Sequence, residues 1–507
     1  MKNSRIAVFG LGRSGLAIAR GALAQGAHPH VFDQANADSL LKPEILEEAR
    51  TEGITVTLGW DGKLPEGLDL LVVNPAVDMR SAILREAVEA GIEVISEVEF
   101  AFRISKAPII AITGTNGKST TTVMTYICLK ACGIDAVLCG NIFGSGYPEV
   151  PMTEAALRST PDQILVAEIS SFQLEWVREF KPVSAGITNI WPDHLDRYDS
   201  FEQYAATKQR IFNAQDENDF AVVKAHDPVV KAPGQSAAVR RGRRPAPELI
   251  GVKTPTVLTF GATGEHARVD ERFLTVLDKQ VKIEELTYSE PHNYTNACMA
   301  GLLAFGALKA SSRIHPEGVA AKVVAEAEKE AEASRAARRT AYNERQLEAN
   351  KPQWILPAAI LEGLRSFTGI AHRMEFVGER DGIRVINNSM CTNPDAVLKS
   401  AMALRGPNHI LIGGRNKDLD FRPLRNYFAN GMHHAYLYGE ARQSLTEQIG
   451  HFPTFERMED AFAAAVDAAR SGEVVMLAPG CASSDQFRDF RHRGDVFKQI
   501  AKEWLEQ

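Results

Sequence analysis

Short apolar runs alternate with longer amphipathic runs from the start of the chain. The first block of this alternation predicts strands at residues 5–9, 30–33, 68–73 and 93–95 and helices at 15–25 and 82–90. Strands that alternate with helices are typical of parallel βαβ units, so we predict the α/β fold class.

Two further blocks of the same kind follow. The second predicts strands at 108–112, 164–168 and 185–189 and a helix at 201–212, and the third, after residue 369, predicts strands at 383–386, 409–412, 435–438 and 474–477. A chain of 507 residues has room for about three domains of roughly 100–200 residues each. We therefore predict a Rossmann-like N-terminal domain at 1–106, a central P-loop ATPase-like domain with a parallel sheet at 107–368, and a Rossmann-like C-terminal α/β domain at 369–507.

Two segments do not follow the alternation. Residues 231–248 contain four arginines between Pro, Gly and Ala, and we interpret them as a surface loop rather than a nucleic-acid patch because no aromatic residues interleave. Residues 317–350 are rich in Ala, Glu and Arg, which favours a solvated helix inserted in the central domain over a partner-binding segment.

Composition narrows the class of protein. A net charge of −7 argues against nucleic acid as a partner. The six cysteines form no C-x-x-C pair, no apolar stretch reaches the roughly 18 residues of a membrane helix, and the N-terminus enters a predicted strand without a signal peptide. We expect a monomeric cytoplasmic protein with reduced thiols and no membrane insertion.

The segment AITGTNGKST at residues 111–120 carries the strongest chemical signal. An apolar strand precedes it, Gly114 and Gly117 permit a tight turn, and Lys118 stands at the predicted start of a helix. Backbone N–H groups, a helix N-terminus, a lysine and a hydroxyl together suit the phosphates and Mg²⁺ of a nucleotide. The general pattern G-x-x-x-x-G-K-[ST] fails because its first glycine would fall at Ile112. This compact variant predicts ATP binding, and a chance Gly/Ser turn is the weaker alternative.

A second glycine motif, GLGRSG at residues 10–15, follows the first strand, and Asp33 stands 18 residues after Gly15. This spacing matches a dinucleotide fingerprint and so allows an NAD(P)-dependent oxidoreductase. The same geometry suits any diphosphate, and an NAD enzyme would not need the ATP loop. We therefore favour ATP together with a nucleotide-linked substrate, with a purely structural glycine turn still open.

Three polar positions follow the loop. Glu168 ends a predicted strand and suits an Mg²⁺ ligand or, equally, a helix N-cap. His194 follows the next strand, and Lys208 lies on the predicted helix at 201–212. Taken singly, His194 is more often a structural histidine and Lys208 a surface lysine.

Taken together, these segments resemble the Mur ligase family over nearly the whole chain. The motifs that carry the resemblance are GTNGKST, EISSFQLE, DHLDRY, TKQRIF, HNYTNA at 292–297, FTGIAHRME at 367–375 and CASSDQF at 481–487. The EISSFQLE form points to the glutamate-adding branch. Folylpolyglutamate synthetases share the ATP loop, but they lack a nucleotide-sugar domain like the one predicted before it here.

The resemblance implies an ATP-dependent ligase of peptidoglycan precursor synthesis. In that family the γ-phosphoryl group of ATP passes to the carboxylate of UDP-N-acetylmuramoyl-L-alanine, and the amino group of D-glutamate attacks the resulting acyl phosphate. Addition of L-glutamate or another amino acid is the near alternative. An NAD(P)-dependent oxidoreductase and a non-catalytic nucleotide switch are alternatives of other classes.

The resemblance also assigns roles to residues. Lys118, His194 and Lys208 would be catalytic, and two Mg²⁺ ions would be held by Ser119, Glu168, His194 and Lys208, the lysine being carbamylated. The remaining assignments are ATP binding by Gly114, Thr115, Asn116, Gly117, Lys118, Ser119, Thr120, Asn296, Arg373 and Asn388; UDP-sugar binding by Arg13, Ser14, Asp33 and Asn141; and amino-acid binding by Thr392, Lys417, Ser483 and Phe490.

One segment departs from the family pattern. Where the family usually has NDSKATN, residues 387–393 read NNSMCTN. Asn388 replaces a carboxylate expected on the ATP ribose, and Met390 replaces a cation near the reacting groups. Lys417 survives, and Arg415 is a nearby cation that compensates in our interpretation. The choice between D- and L-glutamate is therefore less well defined by the sequence than the ATP chemistry.

Overall fold

A computed structural model of the chain describes residues 1–37, 43–75, 77–194, 197–230, 254–288, 291–337, 354–404, 406–416, 419–429 and 431–506. The chain divides into two compact units, one of Met1–Phe143 with Tyr147–Phe367 and one of Gly144–Gly146 with Thr368–Gln507. The expected boundary between residues 106 and 107 lies inside the first unit, and the three-domain boundaries stay predictions. Within the described residues, no helix combines the length and apolar character required to span a membrane.

The first unit begins with a five-stranded parallel sheet. Its strands are β1 (Arg5–Phe9), β2 (His28–Phe32), β3 (Thr55–Thr57), β4 (Leu70–Val73) and β5 (Glu93–Ser96), and its helices are α1 (Arg13–Ala24), α2 (Pro43–Thr51), α3 (Ala82–Glu89) and α4 (Glu97–Ile104). The strand order β3-β2-β1-β4-β5 confirms the Rossmann-like prediction. This order places the glycine loop after β1 at the carboxyl edge of the sheet.

A larger sheet of ten described strands follows in the same unit. Its strands are β6 (Ile109–Thr113), β7 (Ala136–Gly140), β8 (Glu149–Val150), β9 (Ile164–Glu168), β10 (Ser184–Ile187), β11 (Phe220–Lys224), β12 (Thr256–Phe260), β13 (Ala267–Val269), β14 (Phe273–Val276) and β15 (Lys279–Lys282). The order is β15-β14-β13-β12-β11-β10-β6-β9-β7-β8. Along this order every pair from β8 to β13 is parallel as predicted, whereas β14 runs antiparallel to both β13 and β15. Strand β6 lies between β9 and β10, so the loop after it emerges at the middle of the sheet.

Seven described helices belong to the same part of the first unit. They are α5 (Lys118–Ala131), α6 (Met152–Arg158), α7 (Ser171–Leu174), α8 (Phe201–Gln209), α9 (Pro291–Ile314), α10 (Val319–Ala337) and α11 (Ala358–Ser366). The helix predicted at 201–212 is α8 followed by a 3₁₀ turn at Arg210–Phe212. The Cys128 and Cys132 thiols are free and buried, as are the other four cysteines.

The predicted helix of the charged insertion exists, but it is not solvated all round. Helix α10 buries Ala320, Val324 and Ala327, which are spaced by one helical turn and share one face. The helix packs against α9, and Lys309 there pairs with Glu328 at 2.5 Å. Small apolar side chains thus suffice for packing here. Residues 338–353 and the arginine-rich 231–253 segment lie outside the described residues.

The second unit contains a six-stranded sheet. Its elements are β16 (Glu375–Arg380), β17 (Ile383–Asn387), α12 (Pro394–Met402), β18 (Asn408–Gly413), α13 (Arg425–Phe428), β19 (His434–Tyr438), α14 (Arg442–Ile449), β20 (Thr454–Phe455), α15 (Met458–Ala468), β21 (Val474–Gly480) and α16 (Phe490–Leu505). The strand order is β16-β17-β21-β18-β19-β20, and only β16 pairs antiparallel among these strands. The loops after β17, β18 and β21 leave the same carboxyl edge, and they carry the residues predicted to bind the amino acid.

Candidate active site

The phosphate loop joins β6 to α5 through two glycines with positive φ and little space for a side chain. Gly117 caps α5 with a φ of 81°, and Gly114 has a φ of 150°. A Cβ at Gly114 would lie 1.9 Å from Thr188 Oγ1, and one at Gly117 would lie 2.6 Å from Asn296 Oδ1. Both positions therefore favour glycine for conformation and for space. Asn296 of α9, which the sequence predicts at the ATP site, lies against this loop.

The loop is fixed to the segment after β10 by paired hydrogen bonds. Thr115 N donates to Asn189 O at 2.9 Å, and Asn116 N donates to Asn189 Oδ1 at 3.1 Å. In return Thr188 Oγ1 donates to Asn116 O at 2.6 Å. The turn that leads into the N-terminus of α5 is thus preformed, as anion binding requires.

Two lysines reach the same loop. Lys118 Nζ donates to Thr115 O at 3.0 Å, and Lys208 Nζ donates to Gly114 O at 2.9 Å. Lys208 is buried, and its ammonium lies 4.8 Å above the ring of Tyr204. The structure therefore brings both predicted catalytic lysines to the phosphate loop.

Burial changes the acid–base character of Lys208. Desolvation, and then the positive charge of Lys118, lower the pKa of Lys208 to about 7, while Asp193 and Glu168 oppose this shift. A fraction of the side chain is consequently a neutral amine at neutral pH. A neutral amine is a nucleophile, which is the form that carbamylation requires.

Tyr204 is a site residue that the sequence analysis missed. Its hydroxyl lies 3.1 Å from Thr115 Oγ1, and its buried ring lies 4.8 Å from Lys208 Nζ and 6.2 Å from the ring of His194. Tyr204 precedes Lys208 by four residues on α8, so both lie on one helix face. That spacing from a candidate lysine is the signal that could have identified it.

Glu168 has one carboxylate oxygen without a protein partner. Glu168 ends β9, lies opposite Ile112 of β6, and is 3% exposed. Oε1 accepts a hydrogen bond from Asn141 Nδ2 at 3.3 Å, whereas Oε2 has no hydrogen-bond partner in the described part of the chain. The alternative role as a helix N-cap is wrong, because Ser170 caps α7. A buried, unpartnered carboxylate oxygen beside a phosphate loop fits a Mg²⁺ ligand.

His194 lies beside helix α8, which carries Tyr204 and Lys208. Its ring centroid is 4.7 Å from that of Phe172 and 6.2 Å from that of Tyr204, and its φ is 54°. Arg197 N donates to His194 O at 3.0 Å, and Tyr198 N donates to the same oxygen at 3.1 Å. Its side chain is 44% exposed, so the imidazole is accessible to a ligand.

A buried ion pair fixes Arg197, one of the two residues that donate to His194 O. Arg197 donates to both carboxylate oxygens of Glu175 at 2.8 and 2.6 Å, and Tyr198 OH donates to Glu175 at 2.9 Å. Arg197 also donates to Pro75 O and Val77 O, which follow β4. The sequence analysis missed this pair, although Glu175 ends EISSFQLE and Arg197 lies in DHLDRY. The sequence signal that could have identified the pair is that each of these two motifs contains one of its charged residues.

Within the described ranges, no group of three or more His, Cys, Asp or Glu side chains is arranged to hold a metal ion. The predicted ligand set contains only two such residues, Glu168 and His194. Its other members are Ser119 and Lys208, of which the lysine needs a modification to become a ligand. The metal assignment therefore stays a prediction.

The glycine motif after β1 forms a tight turn. A Cβ at Gly15 would lie 2.0 Å from Gly10 O, so α1 packs directly against this turn. Asp33 accepts hydrogen bonds from Leu11 N at 2.6 Å and Ala35 N at 2.8 Å. Its carboxylate thus fixes the glycine loop. The predicted contacts of Arg13, Ser14, Asp33 and Asn141 with a UDP-sugar stay predictions.

The second unit carries the predicted amino-acid residues. Thr392 is exposed after β17, Ser483 is buried after β21, and Phe490 begins α16. Lys417 lies outside the described residues. Asn388 is 4% exposed, and its side-chain amide is occupied internally by hydrogen bonds with Met374 N and Ser400 Oγ. Its predicted contact with the ATP ribose, like that of Arg373 with phosphate, stays a prediction.

Family models match three stretches of the chain. They are the Mur ligase MurD-like N-terminal domain at residues 4–96, the Mur ligase middle domain at 112–304, and the Mur ligase glutamate ligase domain at 372–481. Each stretch coincides with one of the three sheets described above.

Curated relatives match almost the full length. One is the UDP-N-acetylmuramoylalanine–D-glutamate ligase of Caldanaerobacter subterraneus subsp. tengcongensis, 34% identical over 508 residues that cover 98% of either chain. Another, with the same name, is from Pelotomaculum thermopropionicum and is 34% identical over 507 residues, 98% of this chain and 97% of the relative.

Solved structures share the fold at low sequence identity. The UDP-N-acetylmuramate-alanine ligase MurC of Thermotoga maritima aligns over 99% of this chain and 100% of its own with a TM-score of 0.50 and 16% identity. Full-length identity above 30% to the curated relatives and the three domain matches lead to one conclusion. The chain belongs to the Mur ligase family.

Proposed function

We propose that the chain is an ATP-dependent ligase that adds D-glutamate to UDP-N-acetylmuramoyl-L-alanine in peptidoglycan precursor synthesis. The observation that carries the proposal is the compact phosphate loop together with the buried Lys208, whose side-chain nitrogen donates a hydrogen bond to the carbonyl of Gly114 in that loop. The curated relatives named for this reaction extend over the same full length.

The reaction proceeds in two transfers. A carboxylate oxygen of the L-alanyl group attacks the γ-phosphorus of ATP, and ADP leaves. The amino group of glutamate then attacks the acyl carbon of the acyl phosphate, loses a proton, and expels inorganic phosphate. The N–H groups at the start of α5 and the ammonium of Lys118 neutralise the phosphates during the first transfer.

Mg²⁺ belongs to this proposal as a cofactor. Ser119 and Glu168 would hold one ion, and His194 with carbamylated Lys208 would hold a second. The unpartnered Oε2 of Glu168 supports the first assignment. The low pKa of Lys208 supports the second, because it makes the amine available for carbamylation. When bound, such ions neutralise the charge that develops on a transferring phosphoryl group.

The remaining site assignments complete the proposal. Arg13, Ser14, Asp33 and Asn141 bind the UDP-sugar, and Thr392, Lys417, Ser483 and Phe490 receive glutamate. Asn296, Arg373 and Asn388 join the phosphate loop in binding ATP. We further propose a monomer that acts in the cytoplasm.

The test is release of ADP from ATP by the full-length protein with UDP-N-acetylmuramoyl-L-alanine and one amino acid at a time. D-glutamate, L-glutamate, D-alanine and L-lysine form the panel, with no nicotinamide present. We expect release with D-glutamate, at least about tenfold faster than with the other three. Release that no amino acid stimulates, or turnover that requires NAD(P)H, would contradict the proposal. A preference for L-glutamate would correct its stereochemistry alone.

A further inference from the structure

A fully buried arginine, Arg493, lies on α16 without a carboxylate partner. Arg493 is 0% exposed, and none of the ion pairs among the described residues includes it. Transfer of a charge from water into a protein costs free energy, and buried charges are normally paired. The neighbours of this guanidinium show why the chain retains it.

The guanidinium joins three segments of the second unit. Nε donates to Ser389 Oγ at 3.1 Å and an Nη donates to Ser389 O at 2.9 Å, while the other Nη donates to Cys481 O at 3.1 Å. Ser389 Oγ donates in turn to Phe490 O at 2.6 Å. Arg493 therefore ties the loop after β17 and the loop after β21 to the first turn of its own helix.

A fourth segment, the loop after β18, lies against the same group. A Cβ at Gly414 would lie 3.2 Å from an Nη atom of Arg493. The next residue, Arg415, exchanges two backbone hydrogen bonds with Ala482, at 2.8 and 3.0 Å. The loop after β18 is thereby attached to the loop after β21.

These four segments are the ones that carry the predicted amino-acid residues. Thr392 follows Ser389, Lys417 follows Gly414, Ser483 follows Cys481, and Phe490 begins α16. One buried guanidinium thus lies at the point where all four segments meet. Its side chain is too buried to contact a substrate, so any role in the reaction acts through these loops.

We propose that Arg493 is a positioning residue of the amino-acid pocket, which holds the four segments in place and adds a positive charge without a direct ion-pair partner for the carboxylates of glutamate. The inference rests on the proposed function. A charge in a low-dielectric interior acts over a longer distance than one in water. Residue 390 of the loop after β17 is methionine, so that position supplies no charge of its own.

The neighbouring thiols report the reach of this charge. Burial raises the pKa of Cys391 and of Cys481 to about 12, and the positive charge of Arg493 acts against both shifts. The two cysteines lie in the loops after β17 and β21. At Cys481 the carboxylate of Asp485 acts in the opposite direction, so the hydrogen bonds of Arg493 are the firmer evidence for its role.

The test compares Arg493→Met, which removes the charge, with Arg493→Lys, which keeps it but has fewer donors. Arg457→Gln is the matched control, because Arg457 is an exposed guanidinium of the same unit that pairs with Glu459. In full-length protein we expect Arg493→Met to raise KM for D-glutamate at least about tenfold and to leave KM for ATP and for the UDP-sugar within about twofold. Arg493→Lys should lie between wild type and Arg493→Met, and the control should match wild type.

A second readout does not depend on turnover. We expect faster hydrogen exchange in peptides covering residues 388–393 and 481–490 of either Arg493 variant, without ligands. Equal increases in all three KM values, or unchanged exchange in these peptides, would overturn the inference. A wild-type protein without glutamate-dependent turnover would contradict the proposed function instead, and the exchange data would then decide the positioning role. If Arg493→Met does not fold, Arg493→Lys decides both readouts.

Discussion

The amine of Lys208 is prepared for chemistry by its surroundings. Burial and the charge of Lys118 lower its pKa from an ordinary value of 10.5 to about 7. Only the neutral amine attacks carbon dioxide, and the neutral fraction falls as the pH drops through 7. We predict that carbamylation and activity decline together below about pH 7, and that added bicarbonate partly restores activity there. Initial rates against pH, with the carbamate signal from ¹³C-enriched bicarbonate followed by NMR, measure both quantities.

Two substitutions complete this experiment. Lys208→Arg keeps the positive charge but cannot form the carbamate, so its rate should fall at least about 100-fold at every pH. Lys181→Arg is the control. Lys181 lies away from the phosphate loop and forms an ion pair with Asp216 at 2.8 Å. A Lys208→Arg protein with the wild-type rate and pH profile would exclude the role.

Gly117 offers a residue-scale test of the phosphate loop. A Cβ there would lie 2.6 Å from Asn296 Oδ1, in addition to the strain of a positive φ. Overpacking costs about 1–3 kcal/mol, so we expect Gly117→Ala to lower kcat/KM for ATP about 10- to 100-fold. Gly133→Ala is the matched control for Gly117→Ala. Gly133 has a similar φ of 75°, but a Cβ there would have no neighbour within 4 Å. Equal ATP kinetics in the two variants would show that the close approach of Asn296 is not needed.

At the scale of elements, Glu99 fixes helix α4 to the segment before β10. Its fully buried carboxylate accepts from the backbone N–H groups of Arg178, Glu179 and Phe180 and from Arg103 Nε. Glu99→Ala would leave these donors without a partner at a cost of about 3–5 kcal/mol. We expect the thermal midpoint to fall by at least about 5 °C. Glu89→Ala, at an exposed position on α3, should leave it unchanged.

The elements also show how far sequence pattern reaches. Strands β1, β6 and β9 are short apolar runs between helices, and the pattern predicted them within a few residues. The antiparallel strands β14 and β15 are four residues each, too short for a clear alternation, and they were missed. The buried face of α10 was missed because its alanines resemble solvated positions.

At the scale of the whole molecule, the fold class and the phosphate loop could be predicted because local pattern determines both. Contacts between distant segments could not. Arg197 and Glu175 are 22 residues apart, and Arg493 and Ser389 are 104 apart, so only tertiary structure brings either pair together. Arg493 lies in the polar run FRHRGD, yet it is fully buried.

The central claim is that the substrate carboxylate is activated by phosphorylation. UDP-N-acetylmuramoyl-L-alanine labelled with oxygen-18 in its carboxylate, turned over with ATP and D-glutamate, tests it most directly. Because the carboxylate oxygen that attacks the γ-phosphorus departs with the phosphate, one labelled oxygen should appear in inorganic phosphate for each amide formed. Mass spectrometry of the phosphate measures that transfer. Amide formation with no label in the phosphate would contradict the account.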